Sequence, residues 1–170
     1  MEDALELYAE PYDPTRPVVC CDEASKELRG DVVEPVPSQR GQPARQDYEY
    51  TRYGTANLFV LVKPLGGRRH VTVTERRATP DFAAQMKYLC DVMYPAAAII
   101  RVVLDNLNTH TLSSLFATYP PEEAWRLARR LEFHYTPKHA SWLNMAECEL
   151  SVLARQCLAR RLSDREAVSA

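Results

Sequence analysis

The stretch Ala96-Ala97-Ala98-Ile99-Ile100-Arg101-Val102-Val103-Leu104 constrains the fold of this chain more than any other. Its apolar side chains follow one another without the alternation of a half-buried strand, so both faces must be covered. Such a run suits a central parallel strand with helices on both sides, and it ends on Asp105. A shorter run, Val18-Val19-Cys20-Cys21, reads the same way and ends on Asp22. A carboxylate at the end of a buried strand costs free energy unless something cationic faces it. In open α/β sheets, ligands gather outside the carboxyl ends of strands.

The rest of the pattern builds a sheet around these two runs. Thr55 to Val62 reads as a strand, Pro64 to Gly67 as a turn, and Arg69 to Glu75 as the returning strand of a hairpin. Thr79-Pro80-Asp81 signals a helix start, with Thr79 as N-cap, and Phe82, Met86, Leu89, Cys90 and Met93 follow at helical spacing until Pro95. Two helical stretches flank Pro120-Pro121, Glu132 to Tyr135 is a short strand, and a last helix is expected from Trp142 to Leu162. Gly30 to Tyr50, with Pro35, Pro37, Gly41 and Pro43, reads as a long loop. The expected fold is α/β, a mixed sheet flanked by helices. Residues 1–17 are expected to be a lead-in that Pro11, Pro14 and Pro17 keep irregular, 18–164 the domain, and 165–170 a tail.

At 170 residues and 46% hydrophobic content the chain fits one domain with a real core. No apolar run approaches a membrane span of about 20 residues, and the acidic start Met1-Glu2-Asp3 is unlike a signal peptide. A cytoplasmic protein without a membrane partner is expected. The five cysteines form no CxxC pair, so reduced, structural thiols are expected and a zinc site is not. A net charge of −2 argues against strong autonomous binding to nucleic acid. Arginines do recur, at Arg68, Arg69, Arg76, Arg77, Arg126, Arg129, Arg130, Arg155, Arg160 and Arg161, and each has a solvated face as its simplest explanation.

A third acid completes a candidate site. On the last helix Leu143, Ala146, Leu150, Leu153, Ala154, Cys157 and Leu158 share one arc, with Glu147 inside it and Glu149 at its edge toward solvent. Asp22, Asp105 and Glu147 would together make an oxygen cage for Mg²⁺, a hard cation that takes carboxylates and water. Each residue also has a plainer role. Asp22 would cap a turn, Asp105-Asn106 would mark a strand-to-loop change, and Glu147 would close a capping box with Asn144. Lys138 and His139 would be solvated, and His110 would be a hydrogen-bonded loop residue.

Three segments together resemble the catalytic domain of mariner-like transposases of bacterial insertion sequences, in the DDE superfamily. They are Cys21-Asp22-Glu23-Ala24-Ser25-Lys26, Leu104-Asp105-Asn106-Leu107-Asn108-Thr109-His110, and Tyr135-Thr136-Pro137-Lys138-His139-Ala140-Ser141-Trp142-Leu143-Asn144-Met145-Ala146-Glu147. The resemblance spans about Leu5 to Asp164. It implies an RNase H-like fold, with Asp22 and Asp105 as the two catalytic aspartates and Glu147 as the closing acid. Met145 stands where the family has Pro. The stretch between Asp105 and Glu147 is longer than in eukaryotic relatives, read as an insertion around Pro120 to Arg130.

By this resemblance the chain would be a Mg²⁺-dependent endonuclease, with Mn²⁺ as a possible substitute, that cuts and joins DNA at insertion-sequence ends. Asp22 would bridge two ions, with Asp105 and Glu147 each holding one. Lys138 and His139 would grip the DNA backbone, and His110 would contact phosphate or support the acids from behind. DNA, as terminal repeats and target, and a second copy of the chain would be its partners, in a bacterial cytoplasm at the nucleoid. No helix-turn-helix precedes Asp22, so an isolated catalytic domain is expected. The rivals are an inactive remnant that binds DNA or a transposase without cutting, and a nuclease acting on RNA–DNA hybrids. The Thr136-Pro137-Lys138-His139 stretch speaks against the second.

Overall fold

The structure, a computed structural model, describes residues 2–64 and 66–170. A mixed sheet of five strands in the order β3-β2-β1-β4-β5 carries helices on both faces, as the sequence leads one to expect. The strands are β1 (Val18–Asp31), β2 (Tyr50–Val62), β3 (Arg69–Thr74), β4 (Ile100–Leu104) and β5 (Leu131–Tyr135). The apolar run before Asp105 becomes β4 at the centre, every residue of it buried, parallel to β1 on one side and β5 on the other. The β2–β3 hairpin forms in the register Asn57 with Thr74 to Val62 with Arg69.

Strand alternation divides the core in two. Val19, Cys21, Ile100, Val102 and Leu104 point to one face, where Phe59, Phe82, Met86, Leu89, Leu115 and Leu127 close the larger cluster. The helices there are α2 (Thr79–Tyr88), α3 (Ser113–Thr118) and α4 (Pro121–Ala128). Cys20, Val60, Val62 and Val103 point to the other face, against Leu7 and Ala146. That face is covered by α1 (Glu2–Ala9) and α5 (Ala146–Gln156); a short α6 (Arg165–Ser169) packs near β3.

Several expectations are corrected. The segment before Pro11 is not irregular: Glu2–Ala9 is helical and buries Ala4 and Leu7, because the prolines begin only after its last turn. β1 does not stop at Cys21 but continues to Asp31, paired residue by residue with β2 and shifting register between Leu28 and Arg29. Its polar second half is a strand because β2 offers a partner, not because of any apolar pattern. Only 32–49 remains outside the strands, tied by the bridges Val36–Arg45 and Gln39–Gln42 and by Arg161, which donates to the carbonyls of Asp47, Tyr48 and Glu49. The first long helix caps at Ala78 rather than Thr79, with the Asp81 carboxylate accepting the Ala78 N–H at 2.8 Å. It passes into a π-helical turn at Leu89–Met93. The guanidinium of Arg130 donates to the carbonyl of Cys90 within that turn and to those of Tyr94, Pro95 and Ala97 just beyond it. Arg130 is thus a staple, not a solvated charge. The last helix is shorter than expected: Ser141–Leu143 is a 3₁₀ turn, α5 ends at Gln156, and Ala154 and Cys157 are exposed.

No helix among the described residues is long and apolar enough to cross a membrane. Cys20, Cys21 and Cys90 are buried free thiols, whereas Cys148 and Cys157 are exposed.

Candidate functional site

The parallel pairing of β1 with β4 runs Val18–Arg101, Val19–Val102, Cys20–Val103. Two residues further, the same register sets Asp22 beside Asp105, just past the end of β4 and part-way along β1, where β1 leaves β4 and runs on to Asp31 beside β2. Asp22 and Asp105 lie two residues beyond Cys20 and Val103 of the thinner core, so alternation turns Asp22 toward the α5 side. Glu147 arrives there on the first turn of α5.

Asn144 makes that arrival specific. Its buried amide donates to the Cys21 carbonyl at 2.9 Å, one residue before Asp22, and its Oδ1 accepts the Ala146 N–H at 3.1 Å. One side chain thereby caps α5 and bolts it to β1. The expected capping box is not formed: the Asn144 N–H goes to the Ser141 carbonyl, so the Glu147 carboxylate has no partner there. Tyr8 of α1 adds a second tie, its hydroxyl donating to the Leu143 carbonyl at 2.8 Å. Glu149 turns away to an ion pair with Arg69 at 2.6 Å.

The acids act on one another. Burial raises the Asp22 carboxyl to about 6, and Asp105, Glu23 and Glu147 add to the rise although the Glu23 N–H, donated to Asp22 at 2.8 Å, opposes it. A divalent cation among these carboxylates would offset that rise, because an opposite charge favours the ionised form. In kind, these oxygen donors fit Mg²⁺ or Mn²⁺. Among the described residues, no three His, Cys, Asp or Glu side chains converge on a single ion position. Asp22 stands on β1, Asp105 directly after the neighbouring β4, and Glu147 in the first turn of α5.

His110 sits elsewhere than a phosphate ligand would. It is fully buried, its ring tilted against that of Phe82 in the larger core with the centroids 4.7 Å apart. Its Nδ1 lies 2.5 Å from Asp105 Oδ1 and 3.3 Å from the Asp105 carbonyl, and its Nε2 lies 3.0 Å from Glu23 Oε2. The contacts to the two carboxylates are close but off-angle for hydrogen bonds, so they are charge contacts. Burial pulls the imidazole toward neutrality, and Asp105 and Glu23 outweigh it, pushing the group up to about 9. A phosphate contact for His110 is therefore corrected: a side chain without exposed surface cannot touch DNA.

Lys138 and His139 are exposed on the loop between β5 and the 3₁₀ turn, His139 with a positive φ of 67°. That loop leaves the Thr136 N–H on the Leu104 carbonyl and ends at Asn144 on Cys21, so it crosses from one acid-bearing strand to the other. Trp142, in the 3₁₀ turn that follows, is exposed. Sequence reasoning missed Glu23, whose side chain is only 4% exposed. The one signal for it was a second acid directly after Asp22, pointing to the opposite face of β1.

A family model described as DDE superfamily endonuclease matches residues 17–169 of the chain. No curated protein matches it in sequence. Among solved structures it is similar to the Mos1 strand transfer complex, with a TM-score of 0.60 and 15% identity, covering 98% of this chain and 48% of that one. It is also similar to the Mos1 mariner paired end complex with Mn, with a TM-score of 0.61 and 18% identity, covering 99% of this chain and 50% of that one. The chain thus spans about half the length of these solved relatives. At such identities the likeness concerns the fold, and the fold is the RNase H-like one expected from the sequence.

Proposed function

The chain belongs to the DDE superfamily of endonucleases, and from that premise we propose that it is the catalytic domain of a transposase. It cuts DNA at the ends of an insertion sequence and joins the freed 3′-hydroxyl to target DNA, using Mg²⁺, for which Mn²⁺ can substitute. The observation that carries this reading is the register that sets Asp22 beside Asp105, with α5 bolted to β1 so that Glu147 joins them. Asp22, Asp105 and Glu147 would hold the ions through their carboxylate oxygens. When bound, such ions supply an activated nucleophile and neutralise the leaving oxygen of the phosphodiester. Lys138 and His139, exposed on the loop between β5 and the 3₁₀ turn, hold the DNA backbone. Two element ends have to be brought together, so the working unit is a homodimer. The complexes of Mos1 support DNA as the partner.

Cleavage of element-end DNA in Mg²⁺ or Mn²⁺ tests the proposal. Asp22→Asn, Asp105→Asn and Glu147→Gln should each lower the rate by roughly 10²–10³-fold or more, the scale of losing one preorganised charge-stabilising group, while the fold persists. Wild-type rates from any of the three would remove that residue from the site. DNA binding without metal-dependent cleavage by the wild type would favour the inactive remnant.

A further inference from the structure

Glu23 and His110 form a buried ionisable pair that the chemistry proposed above does not use. Glu23 follows Asp22 on β1 and so points to the opposite face, toward the larger core. A lone carboxylate there would be strongly disfavoured. His110 meets it from the loop after β4, and that loop is clamped: the His110 N–H donates to the Leu107 carbonyl, the Tyr135 hydroxyl to the His110 carbonyl, and the Ser114 hydroxyl to the Thr109 carbonyl. The imidazole is therefore held in place by its backbone, by Phe82 and by Glu23. Its free edge lies against Asp105, and the Asp105 oxygen it faces, Oδ1, is buried, although the Asp105 side chain as a whole is 39% exposed. The accessible part of that carboxylate is on the side away from the imidazole.

We infer that Glu23 and His110 are positioning residues: Glu23 holds the imidazole, the imidazole holds Asp105 Oδ1, and the other Asp105 oxygen is thereby presented on the side of Asp22 and Glu147. The inference rests on the reading of Asp105 as a metal ligand. It adds that the aim of this ligand is set from beneath the sheet, by an acid on the opposite face. Partners of metal ligands typically change metal affinity by about 10–100-fold when removed.

Two measurements test it. In the first, thermal unfolding in EDTA compares Glu23→Gln, Asp105→Asn and the double variant. Glu23 and Asp105 are linked through His110, so the loss of melting temperature in the double variant should be smaller than the sum of the single losses by several degrees. Additive losses would overturn the inference, since independent sites add. In the second, Mn²⁺ titration followed by EPR and by the metal concentration for half-maximal cleavage compares wild type with Glu23→Gln, His110→Gln and His110→Asn. An Asn amide nitrogen lies near the place of Nδ1, and a Gln amide near Nε2. His110→Asn should therefore stay within a few-fold of wild type, while His110→Gln and Glu23→Gln weaken Mn²⁺ by roughly 10–100-fold. If all variants lose melting temperature alone and keep wild-type Mn²⁺ dependence, Glu23 and His110 are only structural. Should Glu23→Gln fail to fold, the contrast between the two His110 variants decides. Asp105→Asn separates this inference from its premise: unchanged cleavage there removes the metal site itself, whereas lost cleavage there with an unaltered Glu23→Gln removes only the positioning role.

Discussion

The two faces of the sheet are built to different standards. On the α2–α3–α4 face, Phe59, Phe82, Met86, Leu89, Ile100, Leu104, Leu115 and Leu127 are fully enclosed in one continuous cluster. On the α1–α5 face the buried set is small, and α5 itself buries only Ala146, with Leu150 and Leu153 partly covered. The acids are displayed toward the second face. The contrast teaches that this chain separates the side that holds the fold from the side that holds the candidate chemistry. On the thin side a few hydrogen bonds, above all those of Asn144, do what packing does on the other.

Truncations on the two faces should differ most. Phe82→Ala should destabilise the chain by roughly 3–5 kcal/mol, because it opens a cavity in the closed cluster. Leu153→Ala should cost only about 1 kcal/mol, since its side chain is partly exposed already. Chemical denaturation measures both, and equal losses would mean that the faces are equivalent.

Next in size is Asn144→Ala, which leaves the buried Cys21 carbonyl without its side-chain donor and α5 without its cap. A loss of about 1–3 kcal/mol is expected. Cleavage should fall far more than this stability loss explains, because Glu147 is carried by the freed helix. A variant that is less stable but cuts normally would show that packing, not Asn144, places Glu147.

A smaller effect is expected with pH. The folded Asp22 carboxyl is raised from 3.8 to about 6. Between those values the native chain binds more protons than the unfolded one, so the Asp22 contribution makes stability fall as pH rises through the window. Melting temperatures in EDTA at several pH values between 4 and 7, wild type against Asp22→Asn, isolate this contribution. Wild type should lose ground to the variant as pH rises; gaining ground would mean that a cationic partner already faces Asp22.

The smallest effect belongs to Glu149, whose pair with Arg69 is partly exposed. Glu149→Gln should cost about 0–1 kcal/mol and leave cleavage at the wild-type rate. Inactivity of this variant together with an active Glu147→Gln would exchange the roles of the two acids.

The elements and acids that could be read along the chain share a cause. β4, the β2–β3 hairpin and α2 are encoded by apolar spacing over a handful of residues, and Asp22 and Asp105 stand where such runs end. Periodicity is local, so a one-dimensional pattern suffices for it. The second half of β1 escaped that pattern because Asp22–Asp31 is polar and becomes a strand only through a partner whose pairing lies across a long loop. α1 escaped because its amphipathic face is short and its meaning depends on Leu7 and Tyr8 finding the far side of the sheet.

The α/β class, the two aspartates after apolar runs and an acid on a later helix are legible along the chain, because each follows from sequence neighbours. What supports them depends on segments that meet only on folding. Asn144 meets Cys21, and His110 is drawn beneath Asp105 to face Glu23 from the opposite side of β1. Burial and charge pairing are properties of what comes to rest nearby, and for these residues the partners lie on other strands and loops.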